Sequence, residues 1–190
     1  TEFEYRGRVV WEKAYKIKGL RSVKKMLHAS GGFLVMGEKR EAKKSIIWLG
    51  FFDAQGALTA EKTISDSASS LVPEDIIPSL GGGGFALSVT RGSEESKVHN
   101  AVLYRLDSKA NVIAKNAYEP GPDNRILGLS ASDKDYYMAS GYLRDDSGRK
   151  GGWLLKLSRE GEIVWQRQYP RGAAAYFNLS ADLLKDRVLA

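Results

Sequence analysis

Short runs of apolar residues, each bounded by glycine or small polar residues, recur along the whole chain. In the run IIWLGFF at 46–52, large apolar side chains occupy both alternating faces, which is typical of a strand buried on two sides. The other runs are rich in β-branched and aromatic residues and are punctuated by Gly, Asn, Asp and Ser, which also favours strands. No long segment shows the 3.6-residue period of an amphipathic helix. The pattern therefore predicts an all-β protein in which helices are scarce.

The runs repeat with a period of about fifty residues. A turn followed by an outer run occurs as GRVVWEKAY, GALTAEKTI, ANVIAKNAY and GEIVWQRQY, beginning at residues 7, 56, 110 and 161. A second run begins at residues 31, 83 and 135 as GGFLVMG, GGFALSV and DYYMASG. A third begins at residues 46, 101 and 152 as IIWLGFFD, AVLYRLD and GWLLKLS. Together with a less regular apolar run before them, these runs give each repeat four short strands.

Four short strands in a unit of about fifty residues predict a β-propeller built from four-stranded antiparallel blades. We place outer strands at 1–15, complete blades at 16–65, 66–119 and 120–169, and the inner strands of a further blade at 170–190. The two ends would either pair to close a small ring or belong to a larger ring, and the short last strand favours the second. A single sandwich or a lipocalin-like barrel would explain the strands but not their period.

The repeat resembles the PQQ-like β-propeller repeats of bacterial exported scaffold proteins and quinoprotein dehydrogenases. The shared pattern is a G-G-aromatic run, then W-L-x-K-L and a glycine turn, then W-x-x-x-Y, and its fullest copy here is GGWLLKLSREGEIVWQRQY. The Trp of W-x-x-x-Y is present as Trp11 and Trp165, whereas Ala60 and Ala114 replace it in the other copies. The resemblance implies a propeller fold and a periplasmic or extracellular location. It leaves the activity open, because one fold hosts many functions.

Composition restricts the chemistry that the chain can carry. The 190 residues include no cysteine and two histidines, which excludes disulfides and thiolate sites and argues against a zinc site. No window approaches the run of about 18 apolar residues that a membrane-spanning helix needs. The 29 basic and 23 acidic residues give a net charge of +6, which permits an anionic partner without requiring one.

Each motif that could carry catalysis has a simpler interpretation as a strand or a turn. We place His28 in an inner strand and His99 in a polar loop, and no G-x-S-x-G turn accompanies them. Asp133 and Asp135 supply too few carboxylates for a calcium loop. The GGGGF segment at 81–85 lacks the Lys-Ser/Thr pair of a phosphate loop. A quinone-dependent enzyme would need more blades and an acidic cluster, so we expect no catalytic residue, cofactor or metal.

The remaining signal is charge in segments that a propeller would place on one face, namely the loop before each first strand and the loop between the second and third strands. In the first blade these segments and the adjoining strand hold Lys18, Arg21, Lys24, Lys25, Lys39, Arg40, Lys43 and Lys44. The corresponding loop of the next blade, SDSASSLVPEDIIP, holds Asp66, Glu74 and Asp75 and no basic residue. We interpret the basic residues as a docking surface for an anionic partner, such as an acidic protein, a polymer or lipid head groups. A solvated rim that prevents edge aggregation is the alternative.

These observations favour a non-catalytic propeller scaffold that presents a loop-rich, charge-polarised face to a protein partner. A carbohydrate-binding or anionic-polymer-binding propeller and the propeller frame of a larger enzyme are the alternatives. Nucleic acid is not expected, because the basic segments contain no aromatic residue on which bases could stack. We expect the repeated aromatic residues to fill the interfaces between blades. They are Trp11, Tyr15, Trp48, Tyr118, Trp153, Trp165 and Tyr169.

Overall fold

A computed structural model describes residues 11–29, 31–93 and 98–169, together with the backbone of two short strands near the end of the chain. All regular secondary structure in these residues is β-strand, which confirms the predicted all-β class. Within the same residues no helix is long and apolar enough to cross a membrane.

Three antiparallel meanders of four strands each make up most of the described chain. Unit 1 contains β1 (Leu20–Ala29), β2 (Gly32–Glu41), β3 (Lys44–Asp53) and β4 (Leu58–Ile64). Unit 2 contains β5 (Ser70–Pro78), β6 (Gly84–Gly92), β7 (His99–Asp107) and β8 (Val112–Tyr118). Unit 3 contains β9 (Asp123–Ala131), β10 (Tyr136–Arg144), β11 (Lys150–Ser158) and β12 (Ile163–Tyr169). The predicted antiparallel sheets and repeated strands are confirmed, whereas the described sheets form no closed ring.

The two predicted end segments are described only in part. Residues 1–10 lie outside the described residues, and 11–17 form no strand. Of 170–190, only β13 (Leu183–Leu184) and β14 (Arg187–Val188) are described, as a short antiparallel pair. The rest of that segment, predicted as inner strands, lies outside the described residues.

Each unit carries β-bulges at the same two places. In the first strand the pairing skips Lys24, Glu74 or Leu127. In the fourth strand it skips Thr59, Ile113 or Val164. A bulge bends its strand and increases the local twist, so the three units share their distortions as well as their strand order.

The units stack in series through two apolar interfaces. The first joins side chains of units 1 and 2, among them Leu34, Met36, Ile47, Leu49, Leu71, Leu87, Val89 and Tyr104. The second joins side chains of units 2 and 3, among them Ala86, Ala101, Leu103, Tyr137, Ala139, Trp153 and Leu155. Adjacent residues of β6, Ala86 and Leu87, enter different interfaces because successive side chains of a strand point to opposite faces. Unit 2 is therefore buried on both faces.

Loops alternate between the two ends of the stack because neighbouring strands run antiparallel. The β2–β3 turn, the β4–β5 loop and the β8–β9 loop share one end with the chain before β1. We call this end the loop end. The β1–β2 and β3–β4 turns, and their counterparts in the other units, lie at the opposite end. First strands from neighbouring units lie side by side, with β5 in contact with both β1 and β9.

Candidate functional site

The eight predicted docking residues all belong to the loop-end half of unit 1. They are Lys18 before β1, Arg21, Lys24 and Lys25 on β1, Lys39 and Arg40 on β2, Lys43 in the β2–β3 turn, and Lys44 at the start of β3. Backbone pairing brings the chain before β1 against the end of β2, because the N–H of Arg40 donates to the carbonyl of Gly19 at 2.8 Å. Side-chain contacts then divide the eight residues into paired and solvent-facing groups.

Lys25 faces unit 2 rather than solvent. Its Nζ lies 2.6 Å from Oδ1 of Asp75, whose side chain is only 10% exposed. The Asp75 carboxylate also accepts the backbone N–H of Ile76 and of Leu129, each at 2.8 Å. Since Lys25 lies on β1, Asp75 on β5 and Leu129 on β9, one carboxylate joins the first strands of all three units.

Glu74, the bulge residue of β5, is the second acidic group among the first strands. Its Oε1 accepts a hydrogen bond from the Thr90 hydroxyl at 2.7 Å and lies 3.8 Å from Nη1 of Arg125. Burial raises the pKa of Glu74, while the Thr90 hydrogen bond and the positive charges of Arg125 and Lys24 act in the opposite direction. Lys24, the corresponding bulge residue of β1, is exposed, and its positive charge also favours the ionised form of the Glu74 carboxyl group.

The prediction that three acidic residues lie in the loop before the first strand of unit 2 is wrong for two of them. Glu74 and Asp75 lie within β5, which begins at Ser70 and buries Leu71 and Ile76 in the sheet interfaces. Only Asp66 lies in the loop, where its Oδ1 accepts the N–H groups of Ala68 at 2.8 Å and Ser69 at 2.9 Å. These backbone hydrogen bonds, led by that from Ala68, lower the pKa of Asp66. Glu74 and Asp75 thus pair with basic side chains between the first strands. Only Asp66 remains in the described loop, so the loop has no large exposed acidic patch.

Two further predicted docking residues have local partners. Lys39 Nζ lies 3.0 Å from Oε1 of Glu41, and Lys44 Nζ donates to the carbonyl oxygen of Ser67 across to the β4–β5 loop. These contacts hold the β2–β3 hairpin against its own strand and against unit 2. The Glu41 carboxylate offsets the charge of Lys39, and the Lys44 ammonium group is held against unit 2.

Lys18, Arg21 and Lys43 are exposed, and none of them forms an ion pair with another residue of the described chain. We call these three residues the basic edge. Leu20 pairs with Lys39 and Lys44 pairs with Glu41, so the chain before β1 and the β2–β3 turn lie at one corner of unit 1. The basic edge is the part of the predicted surface that remains available for binding.

His99 begins β7, so its predicted place in a polar loop is wrong. Its Nδ1 lies 3.3 Å from Oδ1 of Asp123, while Nε of Arg144 lies 3.4 Å from the other carboxylate oxygen. His99 and Asp123 also pair their backbones in a parallel bridge between β7 and β9. The cluster fastens unit 2 to unit 3. No three His, Cys, Asp or Glu side chains of the described residues are grouped to hold a metal ion.

The other sequence motifs form the predicted strand and turns. His28 lies on β1 with its ring edge-on to Phe33 at a centroid distance of 5.8 Å. Asp133 closes its turn by accepting the N–H of Asp135 at 2.8 Å. The glycines at 81–83 have φ values of 79° to 82°, which favour glycine, and the next strand begins at Gly84.

Two of the repeated aromatic residues fill a described interface as predicted, since Tyr118 and Trp153 lie between units 2 and 3 and are 5% and 0% exposed. Trp48 is also fully buried, but it lies on the outer face of unit 1, edge-on to Phe52. Trp11 and Tyr15, at 47% and 44% exposed, are corrections to that prediction. They lie on the outer face of unit 1, where no described unit covers them, and Tyr169 on the last strand of unit 3 is 39% exposed.

A comparison with protein-family models and with curated proteins finds no match to this chain. The resemblance to PQQ-like repeats therefore stays a prediction from the repeat pattern.

Proposed function

We propose that the protein is a β-propeller module, or part of one, that binds an acidic segment of a protein partner at the basic edge. The propeller part of the proposal is supported by three four-stranded units stacked in series. It is further supported by the side-by-side first strands, since the first strands of propeller blades surround a common axis. The repeat length of about fifty residues agrees with this arrangement.

The observation that carries the binding part is the exposed basic edge. Lys18, Arg21 and Lys43 come from the chain before β1, β1 itself and the β2–β3 turn, so positive charge converges at one corner. Exposed cations without local partners attract an anionic ligand and raise its association rate. An acidic peptide suits the corner better than nucleic acid, because 16–25 and 38–45 contain no aromatic side chain for base stacking.

A charge-reversal experiment tests the binding part. The variant Lys18→Glu/Lys43→Glu is compared with Lys109→Glu/Lys134→Glu, whose exposed lysines lie in turns at the opposite end of the stack. Both variants lower the net charge by the same amount. The probe is a fluorescently labelled peptide of alternating Asp and Ser, and its binding is followed by anisotropy at low salt.

We expect the basic-edge variant to bind the peptide roughly tenfold more weakly, since exposed charge pairs contribute about 0.2–1 kcal/mol each and 1.4 kcal/mol is tenfold. The opposite-end variant should bind as the unmodified protein does. Added salt should weaken binding of the unmodified protein through screening. An equal loss in both variants would show that net charge alone attracts the peptide, and would refute the basic edge as the site. The carbohydrate-binding and enzyme-frame alternatives stay predictions.

A further inference from the structure

The outer face of unit 1, turned away from unit 2, contains an apolar groove of about 250 Å³. Val23 and Met26 of β1 line it and are 58% and 60% exposed, and Phe33 and Val35 of β2 form its floor. Apolar side chains in the middle of two paired strands are costly to leave in water, and a patch of this kind marks an interaction surface.

In the other two units the equivalent positions are buried against a preceding unit. Phe33 corresponds in the repeat to Phe85 and Tyr137, which are 8% and 0% exposed. Phe85 lies in the interface with unit 1, and Tyr137 lies in the interface with unit 2. The groove therefore has the design of the face that units 2 and 3 each present to the unit before them.

Tyr15 makes the same hydrogen bond to unit 1 that the last residue of β8 makes to unit 3. Tyr118, the last residue of β8 in unit 2, donates its hydroxyl hydrogen bond to the carbonyl of Gly161 in the β11–β12 turn of unit 3, at 2.6 Å. Tyr15 donates in the same way to the carbonyl of Gly56, which occupies the equivalent β3–β4 turn of unit 1. Residues 11–15 thus lie where the end of a preceding fourth strand would lie.

Ring packing agrees with this assignment. Tyr15 stacks edge-on against Phe52 of unit 1 at a centroid distance of 5.0 Å, as Tyr118 does against Trp153 of unit 3 at 6.5 Å. A side chain added at Gly56 would meet Trp11 at 2.8 Å, so this segment fits closely over the turn. At both positions a tyrosine packs edge-on against an aromatic ring on the third strand of the next unit, Phe52 on β3 and Trp153 on β11.

We propose that the groove is the interface for a preceding four-stranded unit of the same polypeptide, whose fourth strand ends at Tyr15. Its covering face carries aliphatic side chains of the kind that unit 1 presents to unit 2, such as Leu34, Ile47 and Leu49. The unit belongs to the same polypeptide because residues 11–15 run directly into β1, as the end of β8 runs into β9. The inference extends the stacked-unit part of the proposed function and is separate from peptide binding at the basic edge.

Thiol labelling tests the proposal, since the sequence has no cysteine. Met26→Cys is introduced into the complete natural polypeptide and compared with Ile113→Cys, whose parent residue is 62% exposed on the bulge of β8. Val23→Cys and Val164→Cys, with parent residues 58% and 51% exposed, provide a second matched pair. Circular dichroism establishes that each variant is folded before labelling.

We expect the groove thiols to react at least tenfold more slowly than the bulge thiols, at a rate that does not depend on protein concentration. Equal labelling rates within the pairs would overturn the proposal, because the groove would then be uncovered. Protection that disappears on dilution would also overturn it, since a second copy would then be the covering partner. Peptide binding is measured separately, so loss of the basic-edge proposal leaves this result unaffected.

Discussion

Asp75 is the residue at which removal of one side chain should disturb all three units. Asp75→Ala removes an acceptor shared by the Lys25 ammonium and by the N–H groups of Ile76 and Leu129. Asp75 is only 7% exposed, so water cannot readily take the place of the carboxylate. The Lys25 side chain on β1 and the Leu129 backbone N–H on β9 would both lose their link to β5.

The expected loss follows from the exposure of each partner. A buried N–H left without an acceptor costs about 1–3 kcal/mol, which applies to Leu129. The Lys25 side chain is 33% exposed, so its ion pair is screened by water and contributes about 0.5–1 kcal/mol. We therefore expect Asp75→Ala to lower the free energy of unfolding by about 1.5–4 kcal/mol. That is a substantial part of the roughly 5–15 kcal/mol that stabilises a typical domain.

Urea unfolding followed by tryptophan fluorescence measures this loss, because Trp48 in unit 1 and Trp153 in unit 3 are both fully buried. The two-state analysis requires that the m value stay unchanged between variants. Lys25→Met is the matched control, since it removes the ion pair but keeps both backbone hydrogen bonds, and it should cost about 1 kcal/mol or less. If Asp75→Ala cost no more than Lys25→Met, the hydrogen bond to β9 would contribute nothing and the reasoning would be refuted.

Three further changes have expected outcomes. Tyr118→Phe removes the hydrogen bond to the buried Gly161 carbonyl and should lower the free energy of unfolding by about 1–2 kcal/mol; an unchanged urea midpoint would contradict this. Burial raises the pKa of Glu74, so its contribution to stability is lost as pH rises through that value. Glu74→Gln should therefore flatten the decline in urea stability as pH rises above 4.5, the ordinary pKa of a glutamate carboxyl group, and an unaltered profile would argue against it. Ala42 is exposed with a φ of 53°, so Ala42→Gly should raise the melting temperature by relieving about 0.5–1 kcal/mol of backbone strain; a lower melting temperature would count against that strain.

The strands and units could be predicted from the sequence because their signals are local. Alternating apolar residues, glycine turns and a fixed period are all present within one repeat, and the predicted blade at 16–65 encloses β1–β4. The bulges had no such signal, since skipping one residue changes only which face the neighbours occupy. The Pro-Glu-Asp sequence at 73–75 looked like a loop, whereas the bulge at Glu74 accommodates it within β5.

The sequence predicts which basic residues belong to the candidate site, but not which of them are paired and which face solvent. The basic residues of unit 1 are visible in the sequence, but the contact between Lys25 and Asp75 joins positions fifty residues apart in different units. Sequence alone gave no sign that one lysine faces a buried carboxylate while Lys43 faces solvent. The exposure of Met26 was equally hidden, because it depends on whether another unit lies against β1.

Variation between the repeats shows how one unit specifies the next. The fourth strand of unit 2 ends in Tyr118, whose hydroxyl donates to the carbonyl of Gly161 in the β11–β12 turn of unit 3. The fourth strand of unit 1 ends in Ile64, and the following turn has Ala110, both buried in the interface between units 1 and 2. Ala110 adopts a φ of 58° and Gly161 one of 87°, so both turns have the left-handed conformation, while an isoleucine and an alanine meet in place of a tyrosine and a glycine. Residue types at the strand end and at the next turn therefore change together, because they meet across the boundary between units.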